Sequence, residues 1–102
     1  MTEPTSQQDF IGPEVHQRAF ETWGVDAQLL ALGEEAAELA AKVCRYQNDK
    51  CVLADVMEEI VDVLSLVASL TPNIGTGEEW DSLQQMKRRK LLSKLNGGVR
   101  RV

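Results

Sequence analysis

The sequence predicts an all-α fold, a four-helix bundle completed by oligomerisation. Apolar residues recur at helical spacing in four segments, separated by clusters of Gly, Pro and Asn. No segment alternates apolar and polar residues, and no hairpin turn joins two apolar runs. Aromatic residues make up only 5% of the chain, and the Leu, Ala and Val that replace them favour helices over a sheet.

The elements follow in order. Residues 1–12 show no clear periodicity and are expected to form an arm. Pro13 suits the first position of a short helix over about residues 13–23, with Val15, Ala19, Phe20 and Trp23 on its apolar side and Gly24 ending it. Asp26 is placed to cap a second helix, from about Ala27 to Tyr46. The polar turn Gln47-Asn48-Asp49-Lys50 is short enough to make antiparallel neighbours of the helices it joins. A third helix is expected from about Cys51 to Leu70, stopped by Thr71-Pro72-Asn73. Thr76 with Glu79 has the form of a capping box and opens a fourth helix to about Leu95, closed by Asn96-Gly97. Residues 13–96 thus read as one domain, and 97–102 as a basic tail.

The third helix argues for assembly. With about 100° per residue and Glu59 at zero, nine apolar residues from Leu53 to Ala68 fill an arc from roughly 40° to 200°. A helix with one buried side needs a stripe of only about 100°. A second copy of the chain is therefore expected to complete the core, as a homodimer or a dimer-of-dimers tetramer.

Charge is unevenly placed. The net charge is −5, every acidic residue precedes Met86, and seven of the eleven basic residues follow it. An acidic body argues against nucleic-acid binding by the domain as a whole. No apolar run reaches membrane-spanning length, and Met1-Thr2-Glu3-Pro4 has the form of no secretory signal, so a cytoplasmic location is the default expectation. Cys44 and Cys51 are then expected as free thiols. With His16 as the single histidine and no CxxC spacing, zinc is not expected.

The acids themselves carry the chemistry. Glu34-Glu35-Ala36-Ala37-Glu38 and Glu58-Glu59-Ile60-Val61-Asp62 each set two carboxylates three residues apart on a helix. Such residues lie one above the other, roughly 5–6 Å between Cβ atoms, where like charges are unfavourable. Glu59 sits at the seam between the apolar arc and the polar strip that Asp62, Ser65 and Ser69 continue. Packing the second and third helices by their apolar stripes would bring four carboxylates to one border. A divalent cation is the natural compensation, because hard cations such as Mg²⁺ take oxygen ligands. Two solvated faces on an acidic protein are the alternative.

Glu34-Glu35-x-x-Glu38, followed after twenty residues by Glu59-x-x-Asp62, resembles the paired motif of the MazG-like all-α nucleoside triphosphate pyrophosphohydrolases. Leu29-Leu30-Ala31-Leu32-Gly33 before it and Val63-Leu64-Ser65-Leu66 after it agree, and the resemblance covers residues 15–95. It implies a Mg²⁺ site, with Mn²⁺ as a substitute, held by Glu35, Glu38, Glu59 and Asp62. Glu34 and Glu35 are implied as the catalytic carboxylates that act on water. The implied reaction cleaves a nucleoside triphosphate to the monophosphate and pyrophosphate, with nucleotide-pool housecleaning as its role. Lys87 and Lys90, which share a face of the last helix, are implied as phosphate-binding residues, although cations at a helix C-terminus also suit its dipole. His16, Phe20 and Trp23 are implied as base-binding residues, with Trp80 a further aromatic candidate; a core role for Phe20 and Trp23 is the alternative.

Two other functions stay open. Phosphoribosyl-ATP pyrophosphohydrolase belongs to the same superfamily, but Val63-Leu64-Ser65-Leu66 lacks the Tyr-His pair associated with that enzyme. A non-enzymatic helical dimerisation module would explain the apolar excess and the charge split. It would not explain two acidic pairs at a core border. A di-iron carboxylate bundle would need Glu-x-x-His motifs, and there are none.

Overall fold

The first turn of the first helix is built as its sequence suggests: Pro13 has no N–H to leave unsatisfied, and Val15 and His16 donate their N–H groups to the Gly12 carbonyl at 3.1 and 3.2 Å. The computed structural model describes residues 9–97. They form α1 (Pro13–Gln47), α2 (Leu53–Leu70) and α3 (Gly77–Leu95), with no strand among the described residues. The fold is all-α. The expected arm falls within the described residues only at 9–12, and the basic tail only at residue 97.

The first two expected helices are merged into α1 across one non-helical residue, Gly24, at φ 85° and ψ 169°. Asp26, expected as a cap, therefore lies inside the helix that resumes after the kink. That backbone conformation is close to glycine's alone, so a single residue turns the chain where a loop was expected. At the other end of α1, Asp49 takes a left-handed φ of 60°, and Lys50 N–H returns to Arg45 O at 2.8 Å. The next helix starts two residues later than expected, at Leu53, because Asp55 folds back to accept the Val52 N–H at 3.0 Å. Cys44 and Cys51 are both free. The Thr76 capping box forms as expected: Glu79 N–H donates to Thr76 Oγ1 at 3.1 Å, and Thr76 N–H to Glu79 Oε1 at 2.8 Å.

Packing departs further from expectation. α1 and α2 pack antiparallel, whereas α3 packs against neither of them among the described residues. Within one chain the expected four-helix bundle is thus a helix pair followed by α3, which leaves Leu83, Leu91 and Leu95 exposed. The α1–α2 pair is joined by polar bridges as much as by apolar contact. Gln28 bonds Ser69, Gln17 and Asn73 exchange side-chain amide bonds at 3.2 and 2.9 Å, and Lys42 meets Glu59 at 3.4 Å. Gln17 and Gln28 lie on opposite sides of Gly24, so the kink lets both segments of α1 reach the end of α2. Among the described residues the buried apolar side chains are few, Val56 and Leu70. Met57, Val61 and Leu64 of the broad apolar arc remain more than half exposed. No helix among the described residues is long and apolar enough to cross a membrane.

Replacing Gly24 by Ala is expected to cost about 1–3 kcal/mol of stability, the scale of one strained backbone residue. A Cβ there would meet no atom within 4 Å beyond the adjoining backbone, so the loss would come from the local backbone conformation and not from packing. Urea unfolding monitored by circular dichroism checks this.

Candidate metal centre and adjoining cleft

The two acidic motifs meet across the α1–α2 contact. Helical spacing stacks Glu35 and Glu38 on α1, and the antiparallel register sets Glu59 of α2 against them. One carboxylate oxygen from each of the three lies within 4.8 Å of the others. Two ligands on opposite sides of a Mg²⁺ ion are about 4.2 Å apart, given bonds near 2.1 Å. Modest side-chain adjustment would therefore seat a cation among them.

Burial is graded across the group. Glu59 is 6% exposed, Glu35 is half-buried and Glu38 is exposed. Lys42, one turn beyond Glu38, donates from Nζ to Glu59 Oε2 at 3.4 Å. Glu59 Oε1 is buried with no hydrogen-bond partner. Leaving a buried carboxylate oxygen unsatisfied is costly, and three acids with one nearby ammonium leave the local charge negative. The donor set fits a hard divalent cation: all oxygen, anionic, and with one oxygen unoccupied by any protein group among the described residues. Burial, and then the charges of Glu38, Asp62 and Glu59 in that order, raise the Glu35 carboxyl above its usual range.

Asp62 does not join the group of three. It is exposed, one turn along α2, and lines a cleft of about 390 Å³ that Glu35 also lines. Trp23, Ala27 and Ala31 form the α1 side of this cleft, Ser65 and Leu66 the α2 side. Gln28, only 5% exposed, lies between them. Of the three residues expected to bind a base, Trp23 is on the cleft, with 63% of its surface open. His16 and Phe20 are not among its lining residues. His16 is buried and bonded to Asp9 at 3.3 Å, and the same carboxylate accepts the Gly12 N–H at 3.0 Å. Trp80 is tied to the Ile74 carbonyl through its indole N–H at 2.7 Å.

Glu34 is exposed and outside the three-carboxylate group. Lys87 and Lys90 are exposed on α3 and are not brought to the cluster within one chain. The sequence reading did not single out Lys42 or Gln28, and it noted Ser65 and Ser69 only as part of a polar strip. Lys42 follows Glu38 by four residues and Gln28 precedes Glu35 by seven, both spacings that keep a residue on one helix face. That periodicity was the available signal. No family model, curated protein or solved structure matches the chain.

A pH dependence follows from Glu35. Its folded-state pKa lies above the usual 4.5, so the folded chain holds this proton to higher pH than the unfolded chain does. Stability of the metal-free protein from this group is then present at low pH and falls as pH rises from 4.5 through the raised value. Glu35→Gln should flatten that fall, and Mg²⁺ should oppose it. Thermal melting across the acid range, in chelator and in excess Mg²⁺, measures both.

Proposed function

We propose that the chain is a Mg²⁺-dependent nucleoside triphosphate pyrophosphohydrolase, converting a nucleoside or deoxynucleoside triphosphate to the monophosphate and pyrophosphate. The observation that carries this reading is the unpartnered, buried Glu59 Oε1 inside a group of carboxylate oxygens within 4.8 Å of one another. The paired acidic motif adds the resemblance to the MazG-like enzymes. A bound Mg²⁺ supplies charge neutralisation for the phosphates and a more acidic water. Glu35, Glu38 and Glu59 are the residues that would hold it, with Asp62 at the cleft side of the group.

The residues then divide the work. Glu35, which lines the cleft beside the group, takes the proton of the attacking water, and Glu34 stands one residue away as the second carboxylate of the motif. The cleft seats the nucleoside against the Trp23 indole, so that the phosphates extend toward Glu35 and Asp62. Lys87 and Lys90 meet the phosphates from a second copy of the chain, since α3 touches neither α1 nor α2 of its own. Charge supports that exchange, because the acidic cluster lies on α1 and α2, whereas α3 carries no acid after Asp81. The exposed arc of Met57, Val61 and Leu64 supplies the apolar surface for the dimer contact.

Incubation of the pure protein with a panel of canonical and modified triphosphates is expected to yield monophosphate and pyrophosphate only when Mg²⁺ or Mn²⁺ is present. Glu38→Gln and Glu59→Gln should each lower turnover on the order of a hundredfold or more, the scale of losing a preorganised electrostatic group. Orthophosphate with diphosphate would overturn the cleavage position. Turnover confined to phosphoribosyl-ATP would move the chain to the sister activity, and no turnover at all would leave the helical dimerisation module.

Assembly is tested separately. Sedimentation equilibrium at micromolar concentration is expected to show a dimer or tetramer, with Leu64→Asp shifting the chain toward monomer. A stable, folded wild-type monomer would overturn the shared-site arrangement.

A further inference from the structure

Resting on the Mg²⁺ site of the proposed function, we infer that Lys42 sets which divalent cation the carboxylate group accepts. By holding Glu59 Oε2 it leaves a single oxygen of Glu59 to an ion, which disfavours Ca²⁺ relative to Mg²⁺ and Mn²⁺.

The protein treats the two oxygens of Glu59 differently. Oε2 lies 3.4 Å from Lys42 Nζ, whereas Oε1 is buried and has no hydrogen-bond partner. Glu59 is only 6% exposed, so water does little to even out the difference. Lys42 continues the stripe of Glu35 and Glu38 on α1, seven residues beyond the first and four beyond the second. Its side chain is 28% exposed, so most of it is covered. This is not one of the freely solvated surface pairs that contribute little. The backbone of the same residue is also tied to the segment entering α2, because the Cys51 thiol donates to Lys42 O at 3.5 Å.

Coordination chemistry turns that asymmetry into selectivity. Ca²⁺ gathers about six to eight oxygens in a flexible shell and often draws both oxygens of one carboxylate. Mg²⁺ is smaller, demands near-octahedral geometry and keeps several waters, so single oxygens from a few carboxylates suit it. Mn²⁺ is likewise suited by carboxylate and water oxygens. An ion drawing on both oxygens of Glu59 would lie against the Lys42 ammonium, with little water to screen the repulsion. An ion on Oε1 alone stands off from it. Mg²⁺ and Ca²⁺ carry the same charge, so the general repulsion by Lys42 acts on both alike. Loss of the second oxygen falls on Ca²⁺.

Metal affinity is read from the rise in melting temperature of the chelator-treated chain as MgCl₂, MnCl₂ or CaCl₂ is added at fixed pH and ionic strength. The part of the rise that Glu59→Gln removes belongs to this site and not to ions gathered loosely by the acidic surface. Lys42→Met keeps a long side chain and removes the charge. It should raise Ca²⁺ affinity relative to Mg²⁺ on the order of tenfold, well inside the range over which ligand set and rigidity tune Ca²⁺ sites. Lys42→Arg keeps a cation beside Oε2 and should hold the wild-type ratio. Lys42→Leu takes the place of the methionine variant if that one does not fold. A ratio unchanged by loss of the lysine, one that moves toward Mg²⁺, or one that shifts equally in the arginine variant would overturn the inference and leave the triphosphate reading intact. No melting shift of the wild-type chain with any of the three ions would overturn both.

Discussion

A carboxylate buried at a helix–helix contact is the constraint from which the rest of this structure follows. Glu59 is nearly inaccessible to water, yet one of its oxygens meets only Lys42 and the other meets no protein group among the described residues. Taking a charge out of water costs several kcal/mol unless good partners offset it. Apart from Lys42, the neighbouring charged groups on α1 are two further acids, Glu35 and Glu38. The repulsion shows in Glu35, whose carboxyl is pushed above its usual range by burial and by these same acids. Such a group of acids gains from a cation, and the proposed Mg²⁺ would add to each carboxylate an attraction that offsets their mutual repulsion.

Holding the acids together requires the α1–α2 register, and that register is set by polar contacts. Lys42 with Glu59 fixes one end of the pair, Gln28 with Ser69 the other, and Gln17 with Asn73 extends it beyond the kink. Apolar burial alone would fix the helices less sharply, since among the described residues the buried apolar side chains are Val56 and Leu70. Gly24 makes the scheme possible. Its turn lets the first segment of α1 swing onto the end of α2, and it leaves Trp23 over the cleft rather than in a core.

The same economy of core explains α3. A helix pair cannot cover an arc as broad as that of α2, and α3 does not cover it either. Lys87, Lys90 and Lys94 share one side of α3 with Leu83 and Leu91 when about 100° is taken per residue. Such a face gains most from a surface that is apolar in part and acidic in part. In the proposed assembly, the α1–α2 pair of a second copy offers both.

Local chemistry was legible in the sequence, because it depends on neighbours a few residues apart. The helical class, the Thr76 capping box, the stop after Leu70, a turn between Tyr46 and Cys51 and the stacking of Glu35 on Glu38 all follow from periodicity and from Gly, Pro and cap residues in the chain itself. The broad arc on α2 likewise announced more apolar surface than one chain covers. What only the tertiary structure decided involves residues far apart. Whether Gly24 opens a loop or a single-residue kink depends on where the first segment docks. Which acids converge depends on register, and it chose Glu59 for the three-carboxylate group and set Asp62 on the cleft. Gln28 and Ser69 are 41 residues apart, and neither carries a motif, so their pairing has no sequence signature beyond a shared helix face. Spacing determines which side chains lie on one face; packing determines what that face meets.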